Sequence, residues 1–469
     1  VQPTAPGVPP ASAPATIRVL PLDAPVADTA GVIDASDLGV PDDLWGRSSA
    51  RDLSEALARI TLSKDSPPEI ARFLTSLLQA RLAPPIDAAV DDQFFWARVD
   101  ALLKKGHLEA ARALLDAAQQ KGPQSFRRQF DIALLTGAET EACRAIETTP
   151  DLSPTYPARI FCLARLGQFD VAALTLGNAE TLGILSTEED ALLLHFLDPE
   201  LFEGEPIPPA PSVPTPLQFR LYEAVGERVP TEGLPVPFAF ADLSNDVGWK
   251  ARLGAAERLA ASGAIPFSRL LNVYRERGPS ASGGVWERVR AVTALADAVD
   301  RADAEALQRA LPGAWAAATR AGFAGPFAEW VQPSLSLLPV DSPVGHLAFE
   351  IALYAKDGET APQFASETVA DQFLLSLATD RIGTEPAGDE LGRAVLRGLS
   401  ARNAGEAFEA LITDGRKGEA LFRALAQLAD GANGNPNTTT QSLTALRRIG
   451  LEDLARQIAI ELVLKEGAA

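Results

Sequence analysis

The stretch from Phe95 to Ala118 reads FWARVDALLKKGHLEAARALLDAA, and its pattern is that of two amphipathic helices joined at Gly106. On both sides of this glycine, apolar residues recur at intervals of three and four, the spacing that gives a helix one apolar face. Gly106 stands where the end of a helix needs a left-handed residue, a conformation that glycine adopts without a steric penalty. The stretch therefore predicts a hairpin of two antiparallel helices.

The hairpin pattern occurs twice more, as FRRQFDIALLTGAETEACRAIETT at 126–149 and PARIFCLARLGQFDVAALTLGNA at 157–179. The turn glycines, Gly106, Gly137 and Gly167, are 31 and 30 residues apart. One hairpin cannot bury its own apolar face, so hairpins repeated at this period stack on their neighbours. The sequence thus predicts an all-α protein, an α-solenoid of stacked antiparallel helix hairpins.

These repeats resemble tetratricopeptide-like (TPR-like) repeats over about 90 residues. They share a glycine in the turn, Leu or aromatic residues in the first helix, and a small residue in the second helix at Ala110, Ala142 and Ala172. They lack the Trp-Leu-Gly-Tyr set and the regular closing proline of the consensus. The resemblance implies a protein that binds other proteins through a helical-repeat surface.

Proline content suggests how the chain is divided. Five prolines and no charge occur in residues 1–16, and seven prolines occur in residues 199–216, densities that favour extended chain over helix. The predicted divisions are a Pro-rich extended arm at 1–47, TPR-like helical repeats at 48–198, a Pro-rich linker or elbow at 199–240, and a C-terminal helical-repeat domain at 241–469. The last hairpin ends in Glu461, Lys465 and Glu466, which we expect to cap the open end of a stack.

The charge balance limits the classes of partner. The chain has 42 Lys and Arg against 62 Asp and Glu, a formal net charge of −20. Nucleic acids and anionic lipid surfaces are bound mainly through Lys and Arg, so we expect neither as a partner. No apolar run approaches the roughly 20 residues that span a bilayer, so direct membrane insertion is not expected either.

The residue types that carry catalysis are sparse. The three histidines, His107, His195 and His346, lie far apart and lack neighbours at metal-ligand spacing. Neither a phosphate-binding glycine loop nor a nucleophile elbow is present. We therefore predict no catalytic, cofactor or metal site. The alternative, an all-helical enzyme, requires several carboxylates that converge in one pocket.

Aromatic residues suggest a partner contact. Phe94, Phe95 and Trp96 are consecutive, and consecutive helical residues point about 100° apart, so they cannot all face one core. One of the three is therefore expected to be exposed or to contact an adjacent segment such as the N-terminal arm. Phe94, Phe95 and Trp96, with Trp45 of the arm, are a candidate partner contact. The alternative is an intramolecular contact with the arm itself.

The two cysteines bear on the cellular compartment. In the repeat register, Cys143 and Cys162 lie on adjacent antiparallel helices, where a disulfide is sterically feasible; the alternative is two buried free thiols. A disulfide implies an oxidising compartment such as the periplasm. The Pro- and Ala-rich start, which lacks an initiator Met, is also typical of an exported bacterial protein.

These observations lead to the expectation of a non-enzymatic scaffold. The architecture is similar to periplasmic scaffolds that surround envelope machines such as flagellar motors, which implies a structural protein in a homo-oligomeric or ring-type assembly. The alternative is a cytoplasmic TPR-like adaptor or regulatory binding protein whose cysteines stay reduced.

Overall fold

The computed structural model describes residues 26–88, 92–379, 381, 389–431 and 434–467. The protein is mostly helical, as predicted, with 66% of residues in helices and 1% in strands. The first twelve α-helices are α1 (Ala50–Ala58), α2 (Pro68–Leu78), α3 (Gln93–Lys104), α4 (Leu108–Ala117), α5 (Pro123–Thr136), α6 (Glu139–Thr148), α7 (Tyr156–Arg165), α8 (Phe169–Thr181), α9 (Thr187–Leu197), α10 (Pro216–Ala224), α11 (Trp249–Ala261) and α12 (Phe267–Arg275).

The remaining α-helices follow in the C-terminal half. They are α13 (Val285–Asp300), α14 (Ala304–Ala321), α15 (Ala324–Val331), α16 (Gly345–Tyr354), α17 (Ala361–Phe364), α18 (Val369–Ala378), α19 (Glu390–Ser400), α20 (Glu406–Thr413), α21 (Lys417–Leu428), α22 (Pro436–Arg448) and α23 (Glu452–Gly467). Segments of 3-10 helix lie at Ala27–Thr29, Ala35–Leu38, Pro150–Leu152, Val236–Leu243 and Gln332–Leu337.

The turn glycines of the hairpins adopt the predicted conformation. Gly106, Gly137 and Gly167 have φ values of 86°, 73° and 81°, in the left-handed region, and each lies one or two residues after the end of a helix. Because only glycine adopts these angles without strain, the turns end the first helix of each hairpin and direct the chain into the second.

The predicted N-terminal arm is not extended where the structure describes it. Residues 1–25 lie outside the described part of the chain, whereas residues 26–47 pack against the helices. The short strand β1 (Ile33–Asp34) pairs in parallel with β2 (Ala80–Arg81), the segment that follows α2. Leu44 is fully buried. Ala27, Ala35, Val40, Leu44 and Trp45 of this segment are part of the core, which the proline content of the first residues did not reveal.

The predicted Pro-rich linker at 199–240 contains helix α10, which starts where the dense run of prolines at 199–216 ends. Helix α10 begins at Pro216, and proline is tolerated at a first helical position because its missing N–H would have no partner there. Thr215 caps this helix, and Gln218 completes a capping box. The Tyr222 hydroxyl donates a 3.1 Å hydrogen bond to the Pro209 carbonyl, which holds the linker against α10.

Buried apolar residues form two clusters that differ from the predicted divisions. The larger cluster runs from Ala27 to Leu464, with members on both sides of the linker, and the smaller one runs from Phe126 to Tyr222. The larger cluster is continuous because α1 contacts α21 and α2 contacts α23. The first helices of the chain thus pack against the last ones.

The C-terminal helix does not end an open stack, contrary to expectation. Glu461 has no exposed surface, and Lys465 donates a 2.8 Å hydrogen bond from its Nζ to the carbonyl of Ser66, in the segment before α2. Glu461 and Lys465 are instead bound by α2 and by the segment that leads into it. The side chain of Glu466 lies outside the described part of the structure.

Candidate functional site

The two cysteines lie together in the smaller cluster. Cys143 on α6 and Cys162 on α7 are joined by a disulfide, with Cα atoms 4.8 Å apart, and both side chains are buried. The bond connects the second helix of one hairpin to the first helix of the next, the neighbours that the repeat register brings together. It therefore holds two successive hairpins in register.

The aromatic residues predicted to bind a partner are part of the core, which corrects that prediction. Phe94 and Phe95 have no exposed surface, and Trp45 is also buried. The Trp45 ring lies 4.9 Å from Phe94 and 5.6 Å from Phe422 on α21, centroid to centroid. These rings join the N-terminal segment to α3 and α21, so the intramolecular alternative describes them.

Trp96 is partly buried and is also occupied within the chain. The Arg128 guanidinium lies 4.5 Å from the centre of the Trp96 ring, a cation–π geometry. Arg128 also forms an ion pair of 2.7 Å with Asp100. The Trp96 ring of α3 thus packs against Arg128 of α5 and does not present a free aromatic surface.

The histidines serve local contacts. His107 is buried, with its Nε2 3.1 Å from the Thr75 hydroxyl, and burial lowers its pKa to about 4. His195 Nδ1 lies 2.8 Å from the Ala191 carbonyl, and His346 Nδ1 lies 3.4 Å from Asp371. Within the described residues, no three His, Cys, Asp or Glu side chains are grouped to hold a metal ion.

A cluster of charged side chains joins the two ends of the described chain, and we name Glu69, Arg72, Lys356 and Glu461 the terminal clasp. Glu461 of α23 accepts a 2.7 Å hydrogen bond from the backbone N–H of Glu69, in the first turn of α2. Its other oxygen accepts a 2.9 Å bond from Arg72. Pro67, the N-cap of α2, has no side-chain acceptor, so a distant carboxylate supplies one.

The Glu69 carboxylate completes the terminal clasp. It lies 3.1 Å from the Arg72 guanidinium and 2.7 Å from the ammonium of Lys356, in the turn after α16. Burial raises the pKa of Glu461 to about 7, an effect that the nearby Arg72 charge opposes. Three separate parts of the chain are therefore held together by one set of ionic contacts.

A cleft of about 460 Å³ opens beside the terminal clasp, between α2, the turn after α16, and α23. Its charged lining includes Glu69, Arg72, Lys356, Asp453 and Arg456. An acid–base catalyst must reach a substrate proton, but Glu461 is enclosed and both of its oxygens accept hydrogen bonds from the chain. The carboxylates of the clasp thus serve to hold helices together.

A different surface, on α8, is apolar and exposed. Val171, Leu174 and Leu182 are separated by three and eight residues, so they lie on one side of the helix axis. Leu174 is 67% exposed and Leu182 is 66% exposed; Ile184 follows in the next turn at 47%. The opposite side of α8 packs into the smaller cluster through Ala172 and Leu176, and Ala179 on the same side is also buried. We name the exposed side, formed by Val171, Leu174 and Leu182 with Ile184, the α8 face.

The charged residues in the sequence around the α8 face are Asp and Glu. Residues 166–219 contain no Lys or Arg, and their nine acidic residues are Asp170, Glu180, Glu188, Glu189, Asp190, Asp198, Glu200, Glu203 and Glu205. Asp170 lies one turn before Leu174 on the same side of the helix, and Glu180 and Glu188 flank the turn that carries Ile184. The face is thus apolar with an acidic border.

Sequence reasoning missed the α8 face because the hairpin pattern assigns apolar residues to a core. A usable signal was present: FDVAALTLGNAETLGIL has apolar residues on most sides of the helix, more than a single core-facing side accounts for. In the structure the neighbours of α8 include α7 and α9, and the outer side stays exposed.

Comparisons with known proteins return no relative. No protein-family model matches the chain, and no curated protein or solved structure is significantly similar to it. Over the described residues, every helix is too short or too polar to cross a bilayer.

Proposed function

We propose that the protein is a non-enzymatic scaffold that binds other proteins, and that α3 to α9 form a TPR-like solenoid of stacked helix hairpins. The contacts between helices that follow each other from α3 to α9 support this arrangement, because each hairpin covers the apolar face of the next. The disulfide between Cys143 and Cys162 links two of these hairpins and supports the same register.

The α8 face is the observation that carries the proposal. Large exposed apolar groups that share one helix side are costly in water, and they mark protein interaction sites when polar residues border them. On α8 the border is acidic, and the exposed side chains stand on a helix whose other side is anchored in a core. A rigid, exposed helix side is the kind of surface that a scaffold offers to a partner.

Site-specific photo-crosslinking in the native cells tests this function. A photoreactive residue at Leu174 is compared with one at Val340, an apolar residue of equal exposure, 67% against 71%, outside the α8 face. We expect discrete crosslinks to a protein at position 174 that are missing at position 340. The same products at both positions, or no protein product at either, would overturn the proposal.

We further propose a periplasmic location, in a structural assembly of the bacterial cell envelope such as the surroundings of a flagellar motor. The disulfide supports an oxidising compartment. A thiol count on denatured protein, purified from native cells with thiols blocked at lysis, tests the location. We expect no free thiol, whereas two free thiols would favour the alternative of a cytoplasmic adaptor.

A further inference from the structure

We propose that the α8 face binds a basic, amphipathic segment of a partner protein, an inference that rests on the proposed scaffold function. The proposal combines two independent properties of one surface: the apolar side chains at its centre and the single sign of charge at its border. The first selects for apolar residues on the partner, and the second selects for Lys and Arg around them.

The apolar centre fits one side of a helix or an extended segment. Val171 and Leu174 lie one turn apart, and Leu182 extends the same side by two further turns. Gly177 lies between them, and a Cβ added there would meet no atom within 4 Å, so the surface is open at this point. A partner with apolar residues at helical spacing can therefore contact the face along its length.

The acidic border favours a partner that carries positive charge. Residues 166–219 carry nine acidic groups and no Lys or Arg. Asp170, Glu180 and Glu188 are all exposed. A partner with acidic residues at the rim would be repelled, whereas Lys and Arg there would speed association and strengthen binding at low salt.

Synthetic peptides test the charge selection. The probe is an amphipathic peptide of about 18 leucine and lysine residues at helical spacing, and its match has glutamate in place of lysine. We expect the full-length protein to bind the lysine peptide at least about tenfold more tightly, with affinity falling as salt screens the charges. Equal binding of both peptides, or none at micromolar concentration, overturns the proposal.

Matched variants locate the binding site. Leu174→Asp should weaken binding of the lysine peptide about tenfold to a hundredfold, since it removes a buried apolar contact of the complex. Val340→Asp, at an equally exposed apolar position, should leave the affinity unchanged. Because the Leu174 side chain lies outside the core, Leu174→Asp should fold, which circular dichroism can verify. Equal affinities for the two variants would place the peptide elsewhere and refute the assignment.

A second pair of variants isolates the role of charge. Glu180→Gln combined with Glu188→Gln should weaken binding several-fold at low salt and have little effect at high salt. Glu305→Gln combined with Glu406→Gln changes the net charge equally at exposed residues outside 166–219 and should have no effect. Identical losses in both double variants would show a general charge effect and overturn the proposal.

Other occupants of the face give different results. If a second copy of the chain covers it, sedimentation will show a dimer that Leu174→Asp dissociates, and if residues 1–25 cover it, their deletion will strengthen peptide binding. Either result overturns the proposal of a separate basic partner. A protein crosslinked at position 174 together with no preference for the lysine peptide would overturn this inference and leave the scaffold function standing.

Discussion

Replacing Glu461 by alanine should open the terminal clasp while the rest of the fold persists. The side chain has no exposed surface, and its two oxygens accept hydrogen bonds from the Glu69 N–H at 2.7 Å and from Arg72 at 2.9 Å. A buried N–H that loses its acceptor costs about 1–3 kcal/mol, and a hydrogen bond to a charged group contributes about 1.5–3 kcal/mol. Because Arg72 keeps its contacts with Glu69 and Glu329, we take the lower values and expect a loss of about 3 kcal/mol.

The size of the chain determines the choice of assay. An unfolding entropy of about 2.1 cal/mol/K per residue gives about 1 kcal/mol/K for 469 residues, so a loss of 3 kcal/mol would shift a cooperative melting temperature by only about 3 °C. Hydrogen exchange reports local opening directly. At about 1.4 kcal/mol per factor of ten, amides in α2 should exchange about a hundredfold faster in Glu461→Ala.

The control for this experiment lies on the same helix. Glu452→Ala removes an exposed carboxylate from the first turn of α23 and should leave exchange in α2 unchanged. If α2 exchanges at the wild-type rate in Glu461→Ala, or equally fast in both variants, then the buried carboxylate does not hold the ends of the described chain together and the reasoning is wrong.

Three further predictions concern other buried groups and the effect of pH. Burial raises the pKa of Glu461 from 4.5 to about 7, so between these pH values the native state keeps a proton that the unfolded chain loses. Opening of α2 from α23 should therefore become easier as pH rises from 4.5 to 7, by up to about 3 kcal/mol. In hydrogen exchange, Glu461→Gln should abolish this pH dependence. Arg98 is buried and donates hydrogen bonds to four backbone carbonyls, two of which lie before α1. Arg98→Leu should therefore make residues 26–34 at least about tenfold more sensitive to cleavage by a nonspecific protease, and unchanged cleavage would contradict this role. Replacing Cys143 and Cys162 by serine should lower the free energy of unfolding of the smaller cluster by about 3 kcal/mol, measured by urea denaturation. Wild-type protein with reductant should show the same shift of the unfolding midpoint, and an unchanged midpoint would contradict a stabilising role of the disulfide.

Local patterns in the sequence predicted the helices and their turns. The three- and four-residue spacing of apolar residues and the glycines at 106, 137 and 167 depend only on neighbours along the chain, and the structure has helices and left-handed turns at those places. The closeness of Cys143 and Cys162 followed from the same repeat register.

The errors arose where the chain meets itself over long distances. Phe94, Phe95 and Trp96, with Trp45, were a candidate partner contact, because three consecutive helical side chains cannot all face one core. The structure buries Phe94, Phe95 and Trp45 where the N-terminal segment, α3 and α21 meet. Helix α10 begins at the last proline of the stretch 199–216, which lies in the first turn of the helix, where proline is tolerated.

The sequence by itself determined the helical class, the turn positions, the net charge and the absence of basic residues from 166–219. Only the tertiary structure decided which apolar sides are covered, because periodicity shows that a side needs burial and does not identify what buries it. Glu461 and Glu69 meet across 392 residues of sequence, and Leu174 stays in water although its helix is mostly apolar. Both outcomes depend on how distant helices pack, and local sequence patterns carry no record of that packing.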